Sequence, residues 1–498
     1  MGEYRTPGVY IKEKNAFGTS VVEVETAVPV FIGYTQIAMN GTVDLTGKPW
    51  KITSMAEYIQ YFGGMNVPKY TISASKSDGE DATDATGKSF DVNTFDGENV
   101  RKFSIKVENN YTLYLNMMLY FANGGGPCYI VSVGNYESEF TCNSLKSAID
   151  VLKSESEPTM LVIPEAVNLE YNDCISLQQE MVTHCGTIQN RISILDVFIK
   201  RYSQDPSTNV DYVSYRDSFS TNYPSYAAVY YPYLSTSVLS TSDITKDMIA
   251  FDGSIADFIV GLGFKEEIAG QIEALTPNEF SQEIHQALLQ NSVVYSQLVK
   301  AILDDLNLLP PSAAMAGVYA TIDNMRGVWK APANVTINSV VKPLLNINDY
   351  DQADLNTPMS GKAINAIRTF PGDGLKVWGA RTFDGNSQDW RYINVRRTMI
   401  YLEQSVKNAA RSYVFEPNDS NTWINMKCMI ENFLRGVWKR GGLAGATPED
   451  AFEVHVGLGD TMTGDDILDG ILRITVLVAI SRPAEFIEIT FQQQMQKS

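Results

Sequence analysis

The chain has 498 residues, 44% of them apolar, enough for two to four domains with real cores. Its 39 basic and 58 acidic side chains leave a net charge of −19, a field that argues against a nucleic-acid partner. No apolar run reaches the ~18 residues of a membrane span, so no direct membrane insertion is expected. The best candidate, Ile467 to Ile480, is interrupted by Asp469 and Arg473. The first twenty residues lack the apolar core of a signal peptide. Five scattered cysteines (Cys128, Cys142, Cys174, Cys185, Cys428) suit a reducing cytoplasm better than a disulfide framework. Cys174, His184 and Cys185 lack the spacing of a zinc site, so buried thiols and a satisfied histidine are expected, with no metal.

Residues 1–25 read as an extended arm with short apolar stretches at Val9, Tyr10 and Ile11 and at Val21 to Val24. Ala27 to Tyr34 is near-continuously apolar, as in a strand covered on both faces. Ser54 to Phe62 predicts a short helix, with Ser54 capping and Glu57 at the capping-box position. Lys69 to Asn99 is polar and reads as an excursion or small hairpin. It contains Gly87-Lys88-Ser89, but a phosphate loop needs glycine five residues before Gly87, and Ala82 stands there.

Tyr111 to Ala122 predicts a helix ended by Asn123-Gly124-Gly125-Gly126-Pro127, where glycine caps and proline forbids continuation. Strands at Tyr129 to Val133, Met160 to Pro164 and Ile192 to Val197 alternate with helices at Leu145 to Lys153 and Ile175 to Cys185. That alternation predicts a mixed α/β, multidomain fold with some parallel pairing. Ser235 to Leu309 changes to helical spacing and reads as an inserted helical subdomain between Tyr226 to Leu234 and Met315 to Ala320. Further on, Lys376 to Arg381 reads as a strand, Gln388 to Phe415 as a long helix with Val395, Met399, Leu402 and Val406 inward, and Thr422 to Arg440 as a second helix.

In the last stretch Leu472, Ile474, Val476, Val478 and Ile480 alternate with Arg473, Thr475, Leu477 and Ala479, the period of a half-buried strand. Ser481-Arg482-Pro483 breaks the ladder, because proline has no N–H to give. Ile487, Ile489 and Phe491 then share one face of a second run. Such a stretch is either the last strand of its own domain or an arm added to another chain's sheet.

Several segments resemble the contractile tail sheath family of phages, pyocins and extracellular contractile injection particles. They are YRTPGVYIKE (Tyr4 to Glu13), FANGGGPCYIVSV (Phe121 to Val133), Pro310 to Val335, Arg368 to Val406 and the terminal ISRPAEFIEITF. The resemblance runs from residue 4 to 491 and departs at 69 to 99 and 235 to 309. It implies a non-enzymatic structural subunit, made in the bacterial cytoplasm for a phage tail or a released particle. The partners implied are further copies in a six-start helical cylinder, an inner tube, a baseplate and a tail terminator or cap. No cofactor is implied.

The resemblance also implies a division into an arm (1–25), a middle α/β domain (26–337), an inner sheath domain (338–471) and a C-terminal strand arm (472–498). Val9, Tyr10, Ile11, Val22, Val24, Ile474, Val476, Val478, Ile487, Ile489 and Phe491 are then candidates for strands shared with neighbouring subunits. Between Arg381 and Arg440 ten basic residues face six acidic ones inside an acidic chain. Because the family places its C-terminal domain against the tube, Arg396, Glu403, Lys407, Arg411, Lys427 and Arg435 are candidates for facing it.

Two other readings compete. One is the sheath of an intracellular, type VI-like secretion system, which resembles two short chains rather than one long one. The other is an α/β enzyme with a helical cap, its best signals being Asp304-Asp305 and Asp465-Asp466. Adjacent acids point in different directions and do not by themselves make a general acid/base pair.

Overall fold

A computed structural model describes residues 21–74, 89–95, 100–108, 111–201, 211–252 and 280–490. The chain divides into a larger unit, Glu25–Arg397, and a smaller one that combines residues 21–24 with 398–490.

In the larger unit the strands are β1 (Pro29–Gly33), β2 (Met39–Asn40), β3 (Val43–Asp44), β4 (Trp50–Ile52), β5 (Lys69–Ala74), β6 (Ser89–Phe95), β7 (Val100–Glu108), β8 (Cys128–Ser132), β9 (Met160–Val162) and β10 (Ile192–Asp196). They continue with β11 (Ala227–Tyr231), β12 (Leu234–Thr236), β13 (Ile249–Phe251), β14 (Leu308–Leu309), β15 (Val340–Pro343), β16 (Asn365–Phe370) and β17 (Gly374–Trp378). The helices are α1 (Met55–Phe62), α2 (Leu113–Ala122), α3 (Cys142–Val151), α4 (Tyr171–Ile188), α5 (Asp211–Ser218), α6 (Gln282–Asn291), α7 (Val293–Leu306), α8 (Ser312–Arg326) and α9 (Asp349–Asn356).

An eight-stranded sheet in the order β17-β16-β11-β10-β9-β1-β8-β4 forms the centre. From β16 to β8 neighbouring strands run parallel, and the two edges, β17 and β4, are antiparallel. β1 is buried at every position, as its apolar run predicts for a central strand with helices on both faces. α2 and α8 pack against each other, with α8 also against β9 and β10, while α3 and α4 pair and cover β1 and β10. Local signals hold well here. Ser54 accepts the Glu57 N–H at the start of α1, and Gly124, at φ +82°, follows α2.

The excursion and the insertion prove to be one subdomain. β13 joins β5, β7 and β6 in a four-stranded sheet, and α7 packs against β6. Tyr70 on β5 donates to Asp305 on α7 (2.9 Å), which also accepts from Arg201 (3.1 Å). The two segments are about 200 residues apart, so periodicity within either gives no sign of the pairing. The insertion is therefore not purely helical, and its ends are not loose. β12 pairs antiparallel with both β14 and β15. Met315 to Ala320 is part of the buried helix α8, and it meets β11 through the Tyr230–Tyr319 hydroxyl pair (2.7 Å). Gly87 and Lys88 lie outside the described residues; Ser89 opens β6.

A prediction follows from this packing. Replacing residues 235–309 alone by a Gly/Ser linker cuts β12 and β14 and uncovers Tyr70, Ile72, Phe103 and Ile105, all buried here. Light scattering should then show aggregation. Removing 237–306 together with 69–108 cuts at paired strand ends, Ser235↔Leu308 and Lys69↔Glu108, and should leave soluble protein on size exclusion.

The inner-domain boundary expected at 338 is corrected. β16 pairs with β11 and β17 with β16, so residues 340–378 extend the large sheet, and the division falls after Arg397. A strand's period of two says which faces it buries, not which sheet it joins.

Candidate assembly surface

The smaller unit is built from α10 (Ile393–Ala410, from Thr398 on), α11 (Ser420–Lys439), β18 (Phe452–His455) and β19 (Thr475–Val478). Asp419 caps α11 by accepting the N–H groups of Asn421 and Thr422. Met426, Met429, Ile430, Phe433, Leu434 and Val437 form its buried face, and α11 packs on β18. β18 and β19 pair antiparallel, with Val454 opposite Val476 and Phe452 opposite Val478.

The predicted alternation is present: Leu472, Ile474, Val476, Val478 and Ile480 are half-buried, and residues 473, 475, 477 and 479 are exposed. Part of this stretch is paired within its own chain. Val476 and Val478 lie in β19 and Ile474 directly before it, a strand of the chain's own sheet. Leu443 and Ile480 form a bridge just past β19, and the backbone of Ala479 bonds to both Ala444 and Ala451.

β19 ends at Val478, and the last bridge is at Ile480. Residues 484–490 lie in no strand of the chain, and Phe486, Ile487 and Ile489 are 75%, 79% and 69% exposed. Phe491 and Val9, Tyr10 and Ile11 lie outside the described residues. Residues 21–24 form no strand. Instead the Val24 N–H donates to Ser405 Oγ (3.2 Å), and Glu23 pairs with Arg440 (2.6 Å), while Val22 is exposed. Among the described residues the β18–β19 sheet has two strands only, each paired with the other. Such a sheet is marginal by itself and gains stability from further strands.

Of the basic candidates, Arg396 is corrected. It is 7% exposed, its guanidinium sits 3.5 Å from the Trp390 ring centroid and 4.4 Å from that of Tyr226, and it donates to Ser225 Oγ (2.8 Å). Helical spacing put it in line with Glu403 and Lys407, but a long cationic side chain can stack on aromatics and be buried where a neighbour two turns on is not. Glu403, Lys407, Arg411 and Arg435 are exposed, and Lys427, half-buried, pairs loosely with Glu431 (3.8 Å). Arg411 lies in a 3-10 turn after α10 rather than on the helix.

Phe415 was missed. It is fully exposed between α10 and α11 with a left-handed backbone, φ +72°, a conformation that a bulky residue seldom adopts. A phenylalanine two residues before Pro417, in a polar loop, was the available sign.

The acidic pairs have structural duties. Asp305 holds Tyr70 and Arg201, and Asp466 accepts from the Thr463 N–H (2.9 Å) and from Arg473 (3.1 Å). Cys174, Cys185 and His184 are buried; burial pushes the Cys185 thiol up to about 12 and His184 down to about 4. Among the described residues no helix is long and apolar enough to cross a membrane, and no His, Cys, Asp and Glu side chains group as a metal site.

Residues 386–494 match the phage tail sheath C-terminal domain family. The tail sheath protein of Enterobacteria phage T4 is 24% identical over 213 residues, 41% of this chain and 32% of that protein. The tail sheath protein of Vibrio phage KVP40 is 26% identical over 135 residues, 27% of this chain and 20% of that protein. The match thus spans a third or less of these curated relatives.

Solved structures match along the whole chain. The sheath of an extracellular contractile injection system, the PVC sheath complex in its contracted state, is 27% identical with a TM-score of 0.61 over 99% of both chains. The contracted helical sheath of the anti-feeding prophage is also 27% identical, with a TM-score of 0.61 over 99% of this chain and 100% of that one. With the mixed α/β fold common to them, these matches make the chain similar along its whole length to contractile sheath subunits, and its residues 386–494 to the phage tail sheath C-terminal domain.

Proposed function

We propose that the chain is a structural subunit of a contractile sheath, in which many copies form a cylinder around an inner tube and shorten to drive it through a target envelope. The observation that carries this is the two-stranded β18–β19 sheet beside an exposed apolar stretch at 484–490. A sheet short of strands and a strand short of a sheet, repeated in every copy, complete each other between copies. The last run (Ile487, Ile489, Phe491) and the N-terminal arm (Val9, Tyr10, Ile11, Val22, Val24) are the donated strands, and β19, with Val476 and Val478, is part of the acceptor. Each backbone hydrogen bond so formed is worth about 1 kcal/mol net, and several per strand make a link that survives sliding of the rigid parts.

The energy of contraction is held in a metastable lattice, so the subunit works as a structural part and needs no nucleotide. The likeness over nearly the full length of two injection-particle sheaths favours a phage tail or released particle, made in the bacterial cytoplasm, over an intracellular secretion sheath. A baseplate and a terminator close the cylinder's ends.

Electron microscopy of the purified full chain tests this reading. Hollow cylinders are expected; a compact monomer at high concentration overturns it. Lys407, Arg411 and Arg435 then form the grip on an acidic tube surface. Exposed charge pairs contribute ~0–1 kcal/mol each, a hold that a conformational wave can break. Coating of purified tubes should weaken as salt rises, and reversing these three residues to Glu should uncouple sheath from tube while cylinders still form. Normal coating by the triple variant at low salt would place the grip elsewhere.

A further inference from the structure

The large sheet has a position where open α/β sheets usually bind a ligand. The order β8-β1-β9-β10-β11 reverses direction between β1 and β9. The crevice beyond the carboxyl ends of two such strands commonly takes an anion against a helix N-terminus. Here the Tyr34 N–H directly after β1 and the Thr112 and Leu113 N–H groups at the start of α2 converge on this place. Thr112 makes no side-chain cap of its own, so the first turn of α2 would be left with unpaired donors.

All three donate to one group, the carboxylate of Glu165, which stands three residues past β9 and is fully buried. Tyr34 N–H reaches Oε2 (2.8 Å); Thr112 and Leu113 reach Oε1 (2.7 and 3.1 Å). Burial raises this carboxyl and the three N–H groups partly offset that, leaving it at about 7. The backbone makes room for it: a Cβ at Gly33 would lie 2.4 Å from Glu165 Oε2.

We propose that Glu165 is a built-in ligand, its carboxylate filling the anion site at the sheet's switch point and tying β1, α2 and the exit of β9 together. The crevice is thereby closed to phosphates and nucleotides from solution. A subunit that bears load gains a fixed corner where a ligand-binding protein of this topology keeps an open one.

The test uses the full chain at pH 8, above the carboxyl's value, with amide hydrogen exchange read by mass spectrometry. In Glu165→Ala, exchange at Tyr34, Thr112 and Leu113 should accelerate at least tenfold. Sodium formate at tens of millimolar should slow it again by refilling the cradle, while chloride should not, and the wild-type chain should ignore both. Unchanged exchange in the variant, or no difference between formate and chloride, overturns the proposal. Glu165→Gln keeps an acceptor for Thr112 and Leu113 but can turn a donor toward Tyr34, so only Tyr34 should lose protection; equal protection at all three also overturns it. Should the alanine variant fold poorly, its refolding yield should rise in formate over chloride, and equal yields count against the proposal.

Discussion

Deleting residues 483–498 should leave a folded, soluble monomer that forms no cylinders. Residues 484–490 join no strand of their own chain, and their large side chains face outward at Phe486, Ile487 and Ile489. Since these exposed side chains are not part of the core, the melting temperature should move by no more than about 2 °C. The lattice loses one strand per subunit, several hydrogen bonds at about 1 kcal/mol each, repeated at every contact. Velocity sedimentation and electron microscopy read the two halves of this expectation. A truncated chain that unfolds or aggregates would mean that the stretch belongs to its own domain. A truncation at Gly470, by contrast, removes β19 and should unfold the smaller unit, since Val476 and Val478 pair with Val454 and Phe452.

Asp323→Ala should destabilise the larger unit by about 3–5 kcal/mol, the greatest loss expected from any single change here. Arg397 and Asp323 are 4% and 2% exposed and meet through two hydrogen bonds of 2.9 and 2.5 Å. The same guanidinium donates to Thr26 O (3.0 Å) and lies 4.7 Å from the Tyr319 ring centroid. Removing the carboxylate leaves a buried cation without its counter-charge, whereas replacing both partners by apolar residues removes the need for one. The double variant Arg397→Met/Asp323→Leu should therefore be more stable than the single variant in urea unfolding. A loss under about 1 kcal/mol for Asp323→Ala would mean that water reaches the guanidinium.

Much of the local structure was legible because its causes are local. The near-continuous apolar run at Ala27 to Tyr34 became the central strand β1, Ser54 capped α1 while Glu57 took the Thr53 N–H rather than that of Ser54, and the glycines after Ala122 ended α2. The alternation from Leu472 to Ile480 gave the face that each side chain takes, since period two fixes faces wherever one side is covered. The likeness to sheath proteins, too, was carried by short segments spread along the chain.

What pairs with what was decided only by tertiary structure. Periodicity could not tell whether β19 completes its own sheet or another's, and its partner β18 reads as four unremarkable residues among turns. Nor could it show that β13 lies beside β5, or that β16 continues the large sheet past residue 338. Arg396 and Glu165 make the same point for charge. By sequence one is a surface cation on a helix and the other an acid in a loop. In the fold, aromatic rings enclose the first, and three backbone N–H groups enclose the second. A charged side chain goes inside only when distant segments bring it the partners that offset its lost hydration, and those partners are set by the packing of the whole chain.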